Sequence, residues 1–503
     1  MNKIKILSTA YNNEQWVSNY ANSIKKQTYE NYEVYFYDDC STDKTYETIL
    51  THVKEDSRWT VIKMHENKKR LWIFKNMLDD AIEDNDIVAI IDGDDWLANT
   101  RVLENVDAYY SQHNPWVSYG GMLVWDGGNT VVLAQQQNSL HPDNVLKERA
   151  FRQDLWRASH LKTMRGFIWN RISKDDFISE FGNDYFPCSD DMVYMLPALE
   201  MCQPGKISSF TFPTYIYNAP RTARTYGHNH SKGIHCVAEL RTRPKYDILP
   251  IISTKLAGGL GNQMFQISAA LSAGQKFGYV AMFNPNIYNT HELPSNGNYA
   301  CTIFKQITFD NTFTFEHKYN ESGYQYQEIV VPPNTQLNGY FQSEKYFDKK
   351  LIRKTFTCPE HITTYLTKKY KEQLNKKSVS IHVRRGDYLK FQQHHPICTM
   401  DYYTKAMDRI KGEHYLIFSD DKEWCKENFI GEKYTIVEEK DYIELFLMTK
   451  CFGNIISNST FSWWGAWLNT CPDRQVIAPS KWFGENFKDL NTEDLIPEEW
   501  IKI

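Results

Sequence analysis

Over the first hundred residues, short apolar runs alternate with longer segments of helical period. Residues 4–10 read as a strand, and a helix-like segment follows to about Gln27. Residues 32–37 form a second strand ending in Asp38-Asp39, 43–53 a helix, 59–64 a third strand and 71–83 a helix. The fourth strand, 87–91, stops at Asp92-Gly93-Asp94-Asp95. Strands alternating with helices predict a largely parallel open sheet. Such sheets bind ligands beyond the carboxyl ends of their strands, and both acidic clusters fall there.

The rhythm breaks after about Asn218 into a polar stretch, 219–232, holding Arg221, Arg224, His228 and His230. A connector over 241–250 leads to a fresh start: a strand at 251–256, a tight glycine loop at 258–261 and a helix at 262–277. A third unit opens near Ser378 with the strand 379–383, followed by Arg384-Arg385-Gly386-Asp387. The pattern predicts an α/β chain with a Rossmann-type domain over 1–240, the connector 241–250, and two further Rossmann-type lobes at 251–377 and 378–503. A length of 503 residues suits three domains of roughly 150 each. With no long Gly/Ser tether between them, the halves are expected to be docked or closely coupled.

Composition narrows the function classes. A chain 42% hydrophobic and 24% charged is globular, and a net charge of −5 without a basic stripe excludes a nucleic-acid partner. Aromatic residues reach 15%. Rings with a polar handle suit surfaces both packed and wet, a sugar-binding face among them, although Tyr-rich cores use the same residues. No run approaches the roughly 20 apolar residues of a membrane span, which leaves only peripheral contact with a membrane open. The apolar core of the first eight residues is too short for a signal peptide. Ten cysteines without a C-x-x-C pair argue against a zinc ribbon and fit the reduced thiols of a cytoplasmic protein.

Asp92 and Asp94, alternate carboxylates at a strand end, are hard oxygen ligands of the kind that share Mn²⁺ or Mg²⁺ with a substrate diphosphate. An acidic turn capping the next helix is the plainer reading. Thr9-Ala10-Tyr11-Asn12, Asp38-Asp39-x-Ser41-Thr42-Asp43 and Asp92-Gly93-Asp94-Asp95-Trp96-Leu97 follow one another in an order and spacing that resembles family 2 glycosyltransferases of the GT-A fold, over roughly residues 1–240. The resemblance implies that Thr9, Tyr11 and Asp39 line the nucleotide pocket and that Asp92 and Asp94 hold the metal on a nucleotide-sugar diphosphate. It also implies that Ser189-Asp190-Asp191-Met192 stands where the family has Glu-Asp, with Asp191 as base of an inverting transfer. A surface acidic turn is the alternative there, and residues 70–76 match the family's segment only loosely. The resemblance also allows His228 or His230 as a third metal ligand, but these and the His235-Cys236 pair fit a polar lid or linker better and stay outside the metal set.

In the second half, Gly259-Leu260-Gly261-Asn262-Gln263-Met264 lacks the third glycine of a dinucleotide fingerprint, yet a strand, glycine turn and helix start bring backbone N–H groups to an anion. Arg384, at the end of a buried strand, is placed to bind a diphosphate bidentately; an ion pair with Asp387 is the structural alternative for one of the two arginines. Ser457-Asn458-Ser459-Thr460-Phe461-Ser462-Trp463-Trp464-Gly465-Ala466 reads as a hydroxyl-rich turn and helix start, which also serves simple N-capping. Together with Gly339-Tyr340-Phe341-Gln342-Ser343-Glu344 and Phe418-Ser419-Asp420-Asp421, these motifs resemble family 11 fucosyltransferases, α-1,2-fucosyltransferases with a GT-B-like pair of Rossmann-type lobes, across nearly all of 253–485. That resemblance implies GDP-fucose as donor and no metal. Arg384, helped by His382, neutralises the β-phosphate; Ser459, Thr460 and Ser462 cradle the diphosphate; Glu444 grips the guanine edge. Asp387 is a candidate base, with an ion-pair role equally open.

The expectation is a bifunctional inverting enzyme: a metal-dependent transfer from a nucleotide sugar in the first half, and α-1,2 transfer of L-fucose to a glycan acceptor in the second. The alternative keeps only the second activity and makes residues 1–240 a non-catalytic glycan-binding module.

Overall fold

The computed structural model describes residues 2–78, 81–128, 131–133, 139–180, 182–220, 230–285 and 299–503. The chain divides into two compact units, Met1–Leu249 and Pro250–Ile503. Among the described residues no helix is long and apolar enough to cross a membrane.

The first unit is built on a seven-stranded sheet in the spatial order Ile207–Ser209, Val117–Tyr119, Lys162–Arg165, Ile87–Ile90, Ile4–Ala10, Tyr32–Asp38, Trp59–Lys63. All pairings are parallel except that Lys162–Arg165 runs antiparallel to both its neighbours. The strand Ile4–Ala10 is buried along its whole length because it sits inside the sheet with helices on its faces. Its neighbours are the second strand on one side and the fourth on the other. The chain therefore reverses direction of travel between Ile4–Ala10 and Ile87–Ile90, and such a switch point opens a crevice at the strand ends. A smaller sheet, Trp96–Leu97, Tyr215–Asn218, Met122–Trp125 and Val131–Leu133, follows from those same ends.

Two segments differ from the sequence expectation. The helix expected over 71–83 is Arg70–Met77; it starts from Lys69, whose φ of +66° is a left-handed conformation that breaks any continuation backwards. After the polar stretch a helix, His230–Thr242, forms where a linker was expected. The following connector lies on the first unit: Arg241 donates to the Asp154 carbonyl at 2.9 Å, Tyr246 N–H to Glu200 at 3.0 Å and Leu249 N–H to the Met201 carbonyl at 3.0 Å. Buried Arg152 and Glu200 pair beneath it at 2.7 Å. Arg221, Arg224 and His228 lie outside the described residues.

The second unit holds two parallel sheets. The smaller runs Val280–Ala281, Ile251–Thr254, Thr335–Asn338, His317–Asn320. The larger runs Tyr434–Ile436, His414–Ser419, Ser378–Val383, Gly453–Ile455, Val476–Ala478, Ile501–Lys502. Numbered along the chain, that is the order 3-2-1-4-5-6 of a dinucleotide-binding sheet, with its switch point between Ser378–Val383 and Gly453–Ile455. A single aromatic core joins the two sheets: Phe265 packs at 4.5 Å from Trp463 and 4.9 Å from Trp464, and Phe347 stacks on Trp464 at 5.3 Å. Much of the aromatic content is thus core, Trp463, Trp464 and Trp467 being essentially inaccessible.

Candidate active sites

In the first unit the switch-point crevice gathers opposite charges. Asp92, Asp190, Asp191, Arg70, Lys162 and His160 meet there from four elements. Residues 92–95 form a turn closed by a bond from Asp95 N–H to the Asp92 carbonyl at 3.1 Å. The strand alternation that pairs Asp92 with Asp94 in the sequence ends at Ile90. The turn brings Asp95 beside Asp92 instead, and the oxygens of both lie within 4.8 Å of a His160 ring nitrogen. Asp94 is outside that three-residue group. Gly93 permits the close approach of this turn to the first strand, since a Cβ there would meet the Ala10 Cβ at 2.7 Å.

The fit of this group to a divalent ion is chemical rather than preformed. Carboxylate oxygens with one imidazole suit Mn²⁺ somewhat better than Mg²⁺. His160 is kept neutral by burial and by the Lys162 charge, its pKa lowered to about 4, but Lys162 Nζ lies 2.9 Å from its ring nitrogens, so a metal would compete with that ammonium for the ring lone pair. Asp95, however, already accepts from Tyr215 Oη and Asn218 N–H at 2.8 Å each, and Asp92 is held by Arg70 at 2.8 Å. A metal here displaces Arg70 from Asp92 or shares that carboxylate with it.

Asp191 is held by two partners. Lys162 Nζ, on a side chain with no exposure, lies 2.9 Å from one oxygen, and Tyr194 Oη donates to the other at 2.9 Å. Burial raises its pKa, but the Lys162 ammonium and His160 outweigh that and hold it below the usual carboxylate range. Its neighbour Asp190 moves upward: burial dominates, and Arg70, 3.9 Å away, offsets it only partly.

On the nucleotide side, Thr9 Oγ1 accepts from Arg70 Nε at 3.3 Å and the Tyr11 ring is 45% exposed at the crevice mouth. Asp39 accepts the backbone N–H groups of Lys68 at 2.7 Å and Lys69 at 2.8 Å. It fixes the loop that delivers Arg70, a structural duty the sequence does not announce.

In the second unit the glycine, arginine and hydroxyl-rich motifs all end at one cavity of about 1060 Å³, lined from both sheets. Two helix N-termini converge on it. Gly261, in the first turn of Leu260–Phe277, lies so close to the start of Thr460–Trp467 that a Cβ would stand 2.4 Å from the Thr460 carbonyl carbon. Trp464 Nε1 clamps the contact by donating to the Gly261 carbonyl at 2.9 Å. Helix N-termini carry unpaired N–H groups and a partial positive charge, and two together make an anion site.

Arg384 reaches the same place, bridging Asp387 at 2.6 Å and Asp420 at 2.8 Å. Arg385 turns away, to Asp421 at 3.0 Å and over the Trp424 ring. Both arginines are therefore ion-paired, and Arg384 is the one that lines the cavity. His382 corrects the expectation of charge: burial, reinforced by Arg384, lowers its pKa to about 3. It is neutral at physiological pH, hydrogen-bonded to Ser457 Oγ at 2.8 Å, and offers a hydrogen bond and no positive charge. Ser459 and Thr460 line the cavity. Ser462 does not; it is buried and donates back to the Ser459 carbonyl at 3.2 Å, as a third-position helix hydroxyl readily does. Glu444 lines the far end, largely buried, 3.8 Å from Lys422. Burial raises its pKa to about 7 against the partial relief of Lys422.

A sheet with this switch point, two helix ends and an arginine at its mouth defines a nucleotide-diphosphate-binding lobe, and the comparisons give the class its name. The sequence model "Glycosyl transferase family 11" matches residues 234–503, and "Glycosyl transferase family 2" matches residues 6–174. The chain is a glycosyltransferase: it belongs to family 11 and carries a family 2 domain ahead of it, GT-A-like in the first unit and GT-B-like in the second. An α-1,2-colitosyltransferase of Escherichia coli is 30% identical over 300 residues, 51% of this chain and 99% of that protein. An O-antigen biosynthesis glycosyltransferase, WbnK, of Escherichia coli is 43% identical over 141 residues, 26% of this chain and 45% of its own length. A galactoside 2-α-L-fucosyltransferase of Caenorhabditis elegans is 26% identical over 304 residues, 54% of this chain and 84% of that protein.

Arg70, His160, Lys162 and Tyr194 were not legible as site residues. Arg70, Lys162 and Tyr194 lie in helices or a strand and His160 just before a strand, and only the sheet topology brings them to the acidic turn.

Proposed function

We propose that the second unit transfers a deoxyhexose, L-fucose first among candidates, from its GDP form to a glycan hydroxyl in α-1,2 linkage. The observation that carries this reading is the convergence of Arg384 and two helix N-termini on one cavity whose far end is acidic. The diphosphate lies against Arg384, Ser459 and Thr460, with His382 donating a hydrogen bond, and Glu444 accepts from the guanine N–H groups. Charge on the departing GDP is met by fixed protein groups, so no metal is needed in this unit. Asp387, 56% exposed and paired with Arg384, is the candidate base for the acceptor hydroxyl. Relatives bearing fucosyl and colitosyl names both support the α-1,2 class, so the test offers the GDP forms of both sugars and follows GDP release with a galactoside acceptor. Release with neither donor overturns the reading.

Glu444 supplies a pH test. A carboxylate is needed to accept from guanine, and its pKa is raised to about 7. Donor affinity is expected to fall as pH drops through 7, by up to about tenfold per unit, and Glu444→Gln to weaken donor binding at pH 8 and flatten the profile. An unchanged donor KM in that variant removes Glu444 from the nucleotide site.

For the first unit we propose inverting transfer from a nucleotide sugar, with Thr9, Tyr11 and Asp39 at the nucleotide, Asp92 and Asp94 as metal ligands, Asp95 and His160 grouped beside Asp92, and Asp191 as base. Bound there, Mn²⁺ or Mg²⁺ supplies positive charge to the leaving diphosphate. A chelator is expected to lower the first unit's nucleotide-sugar turnover by at least tenfold and to leave GDP release by the second unit unchanged; Asp94→Ala is expected to match the chelator. Equal turnover with and without chelator sinks the metal assignment. One observation favours a second reading, a non-catalytic glycan-binding module: Asp92 and Asp191 are both already neutralised, by Arg70 and Lys162. Failure of every nucleotide sugar to be turned over, with retained glycan binding, would establish it.

A cytoplasmic location is part of the proposal. All ten cysteines are free thiols. Asn458-Ser459-Thr460 is an N-glycosylation sequence, yet Asn458 is 1% exposed, its amide donating to the Pro396 and Trp482 carbonyls at 2.9 and 3.0 Å. A glycan on that nitrogen is incompatible with the fold.

A further inference from the structure

The helix His230–Thr242 carries the His235-Cys236 pair, which the readings of both sites leave unused. Cys236 is buried, and its sulfur lies 3.3 Å from that of Cys188, a half-buried residue 48 positions earlier in the chain. Cys188 stands just before the helix Asp190–Met201, whose first turn holds Asp190 and Asp191. Two thiols therefore meet directly ahead of the base proposed for the first unit.

The two sides of this contact are held unequally. On the helix, Glu239 accepts from Ser179 Oγ at 2.7 Å and from Glu180 N–H at 2.9 Å, pairs with Arg243 at 2.7 Å, and Arg152 donates to the Leu240 carbonyl. The other side is anchored only as far as Phe186, which is buried with the Arg243 guanidinium 4.8 Å from its ring centre and its N–H on the Phe177 carbonyl at 3.1 Å. Pro187, Cys188 and Ser189 then lead to the helix, and Ser189 takes a left-handed φ of +63° without capping it through its side chain. A sulfur–sulfur bond is about 2.05 Å long, so joining thiols now 3.3 Å apart draws them together by about 1.2 Å. The loop yields, since the helix is tied down. Burial, the Cys188 thiol and the Glu239 charge push the Cys236 thiol up to about 12. It stays protonated, and chemistry begins at the more accessible Cys188.

We propose that Cys188 and Cys236 form a redox modification site whose oxidant is a low-molecular-weight disulfide, and that the bond formed between them displaces Asp190 and Asp191. The Cys188 thiolate attacks one sulfur of the oxidant and expels the other as a thiolate, which takes up the proton that Cys188 released. Cys236 then attacks the Cys188 sulfur of the mixed disulfide, and its proton leaves with the second expelled thiolate. The two cysteines are oxidised to one bond, and the oxidant is reduced to two thiols. A reducing compartment keeps the pair open, and a rise in disulfide closes it. A shift of about 1 Å at a catalytic group costs up to roughly 10²-fold in rate. That consequence rests on the transferase reading of the first unit; the bond itself does not.

The test equilibrates the full chain in glutathione buffers of rising disulfide content, alkylates the remaining thiols and maps the cross-linked peptides. A Cys188–Cys236 bond that dithiothreitol reverses is expected, with altered hydrogen exchange at the start of Asp190–Met201 and first-unit turnover lowered about tenfold or more. Cys188→Ser and Cys236→Ser are each expected to lose both responses to glutathione, while GDP release by the second unit stays the same throughout. No such bond at any ratio, an unchanged exchange pattern once it forms, or undiminished turnover in an active first unit overturns the proposal. In a chain whose first unit turns over no nucleotide sugar, a reversible bond with the exchange change upholds the site while the transferase reading fails.

Discussion

Arg384→Ala is expected to lower kcat for GDP release from the fucosyl donor by on the order of 10³-fold, with a smaller rise in donor KM. The guanidinium is the only described cation that bridges Asp387 and Asp420 across the cavity mouth, and its charge is permanent at any working pH. Charge on the diphosphate grows as the glycosidic bond breaks, so a cation fixed beforehand stabilises the transition state more than the bound donor. Arg384→Lys keeps the charge but cannot span both carboxylates with one planar fork, and an intermediate loss is expected. Arg385→Ala separates structure from chemistry: its guanidinium packs on Trp424 and pairs with Asp421, so the expected result is a lower melting temperature with kcat within a few-fold. Steady-state kinetics of the three variants, paired with thermal unfolding, decide the matter. Equal losses at 384 and 385 would mean that the loop's integrity, and not Arg384's charge, is what transfer needs.

The features legible in the sequence are those carried by contiguous residues. The strands Ile4–Ala10, Ile87–Ile90, Ile251–Thr254 and Ser378–Val383, the glycine turn before Leu260–Phe277 and the start of Thr460–Trp467 each follow from a local run whose period or capping chemistry is self-contained. Arg384 was legible because it directly ends a buried strand. Where a side chain's environment is made by distant segments, the sequence is silent. That Asp39 also holds the Lys68 and Lys69 amides is visible only in the fold. Ser462 looks like a third phosphate donor until the helix turns it back on Ser459. His382 looks like a helper cation until burial and Arg384 remove its proton. The aromatic side of the second unit's cavity draws on residues 324, 388, 395, 483 and 487, an arrangement with no linear signature.

Asp191→Asn is expected to loosen the first unit by about 3 kcal/mol, because it leaves the Lys162 ammonium, on a side chain with no exposure, without its carboxylate. Lys162→Met should cost less, since Asp191 keeps 28% exposure and can be solvated from the crevice. The double variant, Asp191→Asn with Lys162→Met, removes the charge together with its partner and should recover most of the loss, a coupling that only a directly interacting pair gives. Hydrogen exchange along the helix Asp190–Met201 measures this locally in the full chain. The same three proteins discriminate the two readings of the first unit. If Asp191 is the base, transfer falls by 10² or more in both variants that lack it, whether or not stability has been recovered. If the unit only binds glycans, glycan affinity follows stability and returns in the double variant. Recovery of stability without recovery of turnover is therefore the result that assigns Asp191 to the chemistry, because in that protein the fold has been repaired and only the carboxylate is missing.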